Sequence, residues 1–197
     1  MLNRRRLIIG AALAASLPGC TATDPIPASE RAQTLIAAVR DQMREFVIYD
    51  GSYTQLAYPG GDLPSGRGAC TDVLIRAYRA LGLDLQQLVH EDMLANFDAY
   101  PKRWGLKTPD ASIDHRRVPN LARFFERHGQ TLPVSHDAAD YLPGDIITVT
   151  PQHIALISDL RVRDRTNQLV VLQNNGFGVR EDIQDFGPVT GHHRYRV

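Results

Sequence analysis

The apolar residues of this chain change period about two-thirds of the way along, and that switch limits the architecture more than any other feature. Between residues 30 and 128 they recur at helical spacing, and beyond residue 145 they come in short β-rich runs. Leu35, Ile36, Val39, Met43 and Phe46 predict a helix over residues 30–46, with Pro27 and Ser29 at its start. Val73, Leu74, Ala77, Tyr78 and Leu81 predict a second over 70–81, closed by Gly82. Leu88, Met93, Leu94 and Phe97 predict a third over 84–100, and a fourth runs from near Pro119 to His128 before Gly129. The stretch 49–68, with five glycines, two prolines and several aromatics, reads as a long ordered loop, and 101–117 as another. Residues 145–149, 154–158, 169–172 and 193–197 read as strands. Helices followed by an antiparallel meander place the chain in the α+β class.

The first twenty residues stand apart. Arg4-Arg5-Arg6 precede an apolar run from Leu7 to Leu17, shorter than the roughly 20 residues a membrane-spanning helix requires. A cationic head and a short apolar stretch are the parts of a signal peptide. Leu17-Pro18-Gly19-Cys20 resembles the lipobox of bacterial lipoproteins, which makes Cys20 the expected lipidation site. The arginine cluster also resembles a twin-arginine export signal. Residues 21–29 are small, polar and proline-bearing and read as a flexible tether. Residues 30–197 suit a single domain with a core. The expected location is the periplasmic side of a bacterial membrane, reached through the N-terminal lipid.

The chain holds 22 basic and 22 acidic residues; three of the basic and none of the acidic precede Cys20, leaving 19 against 22 beyond it, a net charge of −3. Nothing in that balance points to nucleic acid, which asks for a concentrated basic patch. There are two cysteines. With Cys20 acylated, Cys70 has no partner for an intramolecular disulfide, so it is either inert or chemically employed.

Cys70 follows Gly66-Arg67-Gly68-Ala69 at the start of the second predicted helix. A thiol there meets the positive end of the helix dipole and unpaired N–H groups, both of which favour thiolate. The glycines permit close approach of a substrate, and the Cys70 N–H is placed to serve an oxyanion hole. The base expected beside such a nucleophile is His153, which leads the strand after the one that Asp145 opens. Read alone, Cys70 also suits a small buried apolar position and His153 a strand-end hydrogen bond. Their order and setting together favour the pair.

Leu142-Pro143-Gly144-Asp145-Ile146-Ile147, followed closely by Gln152-His153-Ile154-Ala155-Leu156, resembles the signature of papain-like cell-wall cysteine hydrolases of the NlpC type. The resemblance implies a papain-like fold, with N-terminal helices packed on the antiparallel meander, Cys70 as nucleophile and His153 as base. It also implies a third polar residue from the following strand to orient the ring: Gln173, Asn174 or Asn175. The stretches 68–73 (GACTDV), 85–93 (LQQLVHEDM) and 113–120 (IDHRRVPN), with Gly144-Asp145-Ile146 and His153, are similar to the YijF-like bacterial family. That family is filed as domain of unknown function 1287, and the similarity runs from about residue 30 onward. A histidine often stands there at the position of Gln173; an amide also holds an imidazole by hydrogen bonding.

Asp72 would oppose a thiolate if it pointed at Cys70. It is expected to face Arg76 at i+4 or to bind substrate. Arg116 and Arg117 form a guanidinium pair suited to a carboxylate of a peptide stem. Trp104, with Tyr100 and Pro101, is placed to line a cleft for sugar or peptide. His90-Glu91-Asp92 and Asp114-His115 lack zinc-ligand spacing, and no metal or other cofactor is expected. The turn-rich residues 174–178 either close the cleft or form a plain loop. His192 and His193 fall to the edge of the last strand, and His128 and His136 to the surface. Two functions fit: an exported amidase or peptidase acting on peptidoglycan stem peptides, or a non-catalytic envelope lipoprotein binding wall peptides or a protein partner in the same cleft. An acyltransferase using the same pair is inseparable from the hydrolase by sequence, and the oligomeric state is not legible.

Overall fold

The computed structural model describes residues 22–150 and 152–197; the predicted signal peptide and Cys20 lie outside the described residues. In chain order the elements are β1 (Thr23–Pro25), α1 (Glu30–Gln42), β2 (Ile48–Tyr49), β3 (Arg67–Gly68), α2 (Cys70–Arg79), α3 (Leu85–Asn96), α4 (Val118–His128), β4 (Gln130–Leu132), β5 (Ile146–Val149), β6 (His153–Val162), β7 (Leu169–Asn174), β8 (Val179–Ile183) and β9 (Val189–Arg194). Short 3₁₀ turns lie at Phe97–Ala99, Asp114–Arg116 and Ala138–Asp140.

Local chemistry sets the helix bounds. Ser29 Oγ accepts the Ala32 N–H at 3.0 Å to start α1, and Asp84 Oδ1 accepts the Gln86 N–H at 3.1 Å to start α3. A proline in the first turn opens α4. α1 stops at Gln42, short of Phe46, because its periodic apolar positions run out of partners: Met43 and Phe46 are 40% and 79% exposed.

The main sheet runs β4-β9-β5-β6-β7-β8, with β1 added alongside β6. Every pairing in it is antiparallel. Side chains alternate across it. Ile154 and Leu156 of β6 join Leu172 of β7 in a core shared with all four α-helices. Ala155 and Ile157 face the other way, toward Tyr141, Val171 and Phe186. α2 lies at the centre of the helix-side core and buries Val73, Leu74, Ala77 and Tyr78; burying each large aliphatic side chain contributes about 1.5–3 kcal/mol. The expected α+β arrangement, helices on one face of an antiparallel sheet, is therefore present.

The structure departs from the sequence reading at the margins of the sheet. The last strand is Val189–Arg194, and it crosses back to lie between β4 and β5 instead of continuing the meander. His192 and His193 consequently occupy an interior strand, 1% and 2% exposed, not an edge. Thr23–Pro25, read as part of a tether, pairs with Leu160–Val162, and Asp24 meets Arg163 at 2.5 Å. It pairs there because β6 outruns its four-residue neighbour β5 and leaves backbone groups free. At the entrance to β5, Gly144 has φ +85°, and a Cβ there would come within 3.1 Å of Ala32 Cβ.

Candidate active site

Cys70 is the first residue of α2, and the segment before it is held from several sides. β2 and β3 pair in parallel, Asn174 Nδ2 donates to the Gly68 carbonyl at 3.1 Å, and Asp72 Oδ2 accepts the Ala69 N–H at 2.6 Å. The thiol is 3% exposed. The Tyr49 hydroxyl approaches Sγ at 3.8 Å. Burial pushes the Cys70 thiol up, while the Ile154 N–H and the Tyr49 hydroxyl act against that rise. The thiolate expected from the helix terminus alone is thus opposed by desolvation.

His153 opens β6, and its tautomer follows from its neighbours. Its Nε2 lies 2.7 Å from Gln173 Oε1, and Gln173 Nε2 donates to Asp182 Oδ1 at 3.0 Å. A carboxylate accepts, so the NH₂ end of the Gln173 amide faces Asp182 and its oxygen faces the ring. That oxygen needs a donor, so Nε2 carries the proton and Nδ1 keeps its lone pair. Burial lowers the His153 pKa; the Gln173 bond and the Asp182 charge work the other way. The result is a neutral imidazole with Nδ1 open for a proton, steadied by the Phe186 ring with centroids 4.7 Å apart.

The chain around His153 borders the Cys70 cleft: Gln152, one residue earlier, lines it, and Ile154, one residue later, packs in the same core as Cys70. Among the described residues the thiol and the imidazole make no hydrogen bond to each other. Alternation along β6 sends Ile154 toward α2 and His153 to the other side, against Phe186, and His153 is not among the residues that line the Cys70 cleft. Contacts between nucleophile and base are commonly long in unliganded sites and tighten around substrate.

Of the three candidates for the orienting residue, Gln173 holds the ring. Asn174 does not touch it: its amide bonds the Gly68 carbonyl and accepts the Gly176 N–H at 3.1 Å, so it positions the segment before Cys70. Asp72 and Arg116, expected to contact substrate, are taken up by each other. Arg116 reaches Asp72 at 2.9 and 3.1 Å and the carbonyls of Ser52 and Asp50 at 2.8 and 2.7 Å. Its side chain is 1% exposed. This pair fastens the long loop to α2, and Arg76 turns instead to Asp62 at 2.8 Å. Arg117 and Trp104 do reach the cleft, which has a volume of about 370 Å³ and includes Cys70, Thr71, Tyr49 and Gln152. The Arg117 guanidinium lies 4.1 Å from the Trp104 ring centroid. Two participants escaped the sequence reading. Tyr49 was only one of several loop aromatics, and Asp182 sits in Arg180-Glu181-Asp182, a charged run with no apolar alternation to mark it as strand. Among the described residues no three His, Cys, Asp or Glu side chains gather to hold a metal ion.

Comparison with known proteins places this arrangement. The family described as "Domain of unknown function (DUF1287)" matches residues 36–195. YijF of Escherichia coli (strain K12) is 48% identical over 163 residues, 80% of this chain and 78% of that protein. Solved structures similar to it include NlpC2 from Trichomonas vaginalis, with TM-score 0.45 and 18% identity over 86% of this chain and 48% of that one. The peptidoglycan hydrolase RipB from Mycobacterium tuberculosis gives 0.43 and 14%, over 84% and 64% of the two chains. RipD from the same organism, described as a non-catalytic NlpC/p60 domain protein adapted to peptidoglycan binding, gives 0.43 and 15%, over 85% and 98%. The chain thus spans about half the length of the NlpC2 chain it matches. With the family match covering most of the sequence and close to half of the aligned residues shared with YijF, the chain belongs to the DUF1287 family.

Proposed function

We propose that this protein is an exported cysteine hydrolase that cleaves an amide bond in a peptide stem of the cell wall. The observations that carry the reading are the Asp182–Gln173–His153 chain of hydrogen bonds, which leaves Nδ1 of the imidazole unprotonated, and the thiol of Cys70 at the first residue of α2. In the first step Nδ1 takes the thiol proton and Sγ bonds to the scissile carbonyl carbon. N–H groups at the start of α2 face the developing oxyanion. The imidazolium, its Nε2–H still on Gln173, then gives its proton to the leaving nitrogen as the C–N bond breaks. A water, deprotonated by Nδ1, attacks the thioester carbon and releases a carboxylate and the thiol.

Export and lipidation at Cys20 rest on the N-terminal sequence, and the wall peptide rests on the papain-like signature around Gly144-Asp145 and His153. The deciding experiment compares Cys70→Ala with the parent on purified peptidoglycan fragments. Turnover is expected to fall at least a thousandfold, with the melting temperature little changed; equal turnover removes the hydrolase reading.

A second reading, a binder of wall peptides without catalysis, is favoured by the burial of Cys70 and the upward push on its thiol. Under it, iodoacetamide alkylates Cys70 only near or above the free-thiol pKa of about 8.5, and a peptide ligand does not accelerate the reaction.

A further inference from the structure

We infer that the Cys70 cleft selects ligands bearing a free carboxylate, and that Arg117 is the residue that reads it. The inference deepens the proposal above and rests on that cleft being the substrate site. No acidic residue lines the cleft, whereas two arginines and three aromatic side chains do. Asp72 and Asp114 stand behind the arginines, their side chains 4% and 1% exposed, and neither reaches the cleft wall. Two helices also begin on it. Cys70 and Thr71 come from the first turn of α2, and Arg117 and Val118 from the start of α4. Each helix start adds positive potential and backbone donors.

The two arginines are not equivalent. Arg116 has its fork on Asp72, Ser52 and Asp50 and is nearly sealed from solvent. Arg117 gives one N–H to Asp114 at 3.0 Å, keeps its side chain 16% exposed and lies against the Trp104 ring. Stacking fixes the plane of the guanidinium, and the donors not used on Asp114 are free to take a carboxylate as a two-pronged partner. Tyr49 and Tyr53 supply apolar wall for the rest of a peptide.

The test uses two wall-peptide fragments that differ only in one carboxylate, free in the first and a primary amide in the second. Binding is measured by calorimetry in the Cys70→Ala variant, so that no turnover intervenes. The acid is expected to bind about tenfold more tightly than the amide, the size of one charge-assisted interaction. Adding Arg117→Gln should erase that preference with the fold kept by circular dichroism, and Arg117→Lys should keep part of it. Equal affinities, no binding of either fragment, or a preference that survives Arg117→Gln overturns the inference. A preference for the acid in a protein whose unmodified form cuts neither fragment removes the hydrolase proposal and leaves this one standing.

Discussion

His153 and His192 stand on the same sheet, and each is linked to an aspartate, the first through an amide and the second directly. At His192, Nε2 lies 2.8 Å from Asp145 Oδ2 and Nδ1 lies 3.0 Å from the Pro133 carbonyl. Tyr141 stacks on its ring at 4.2 Å. Asp145 also accepts two bonds from Arg194, at 2.6 and 2.8 Å, and the Leu142 N–H at 2.8 Å. Burial by itself would raise the Asp145 carboxyl, but His192, Arg194 and the Leu142 N–H hold it below its ordinary value. Nothing in that cluster is left over. At His153 one ring nitrogen is engaged and the other is open. The buried His115 and His193 complete the series: neither side chain makes a hydrogen bond among the described residues, and the Nδ1 of each is buried without a partner. His192, with both nitrogens engaged, ties β9 to the chain before β5, and the half-engaged His153 keeps a nitrogen for proton transfer. The aspartate of the glycine–aspartate signature thus serves architecture, not chemistry.

The largest expected effect is at the saturated cluster. Asp145→Ala leaves His192 and Arg194 buried without their acceptor and should cost about 3–5 kcal/mol in urea unfolding; a loss under about 1 kcal/mol would abolish the contrast. His115 should show itself in acid. Burial, followed by the charges of Arg116 and Arg79, takes its pKa down to about 3, against about 6.5 in the unfolded chain. Above 6.5 both states are neutral and the residue is silent. Between 6.5 and 3 only the unfolded chain takes up the proton, so stability drops as the pH falls, by on the order of 5 kcal/mol over that span. His115→Phe should flatten that slope between pH 7 and 4, and parallel curves for the two proteins would count against it.

At the half-engaged imidazole the effects are catalytic and smaller. Gln173→Leu should lower turnover roughly a hundredfold with the melting temperature nearly kept. Gln173→Glu should move the acid limb of the pH–rate profile upward, because a carboxylate beside the ring favours its protonated form. An unmoved limb would detach Gln173 from the base. Asp182→Asn removes the reason for the amide to face one way and should reduce turnover about tenfold or less; no change would show that Gln173 is oriented by something else.

The sequence carried the helix-side core well, because α2 and α4 present strong 3.6-residue patterns and Ser29, Asp84, Gly82 and Gly129 mark helix ends. Cys70 and His153 were legible for the same reason: each sits at the first residue of an element that periodicity defines. The partners of polar side chains were not. Asp72 was assigned to Arg76, the near neighbour on its own helix, yet it pairs with Arg116, 44 residues away. Local spacing says nothing of an ion pair formed when a loop folds back over a helix. β8 and β1 were missed because an edge strand with Arg180, Glu181 and Asp182, and a three-residue strand containing a proline, have no hydrophobic alternation to reveal them.

β8 is the outermost strand on its side of the sheet, and Asp182 belongs to it. The chemistry of the imidazole is therefore wired to the ladder most easily unzipped. Peeling β8 away would leave the glutamine amide free to rotate, with no fixed choice of which ring nitrogen bears hydrogen. A second polypeptide laid along that outer rim would do the opposite, stiffening the ladder and with it the base, at a distance from the cleft.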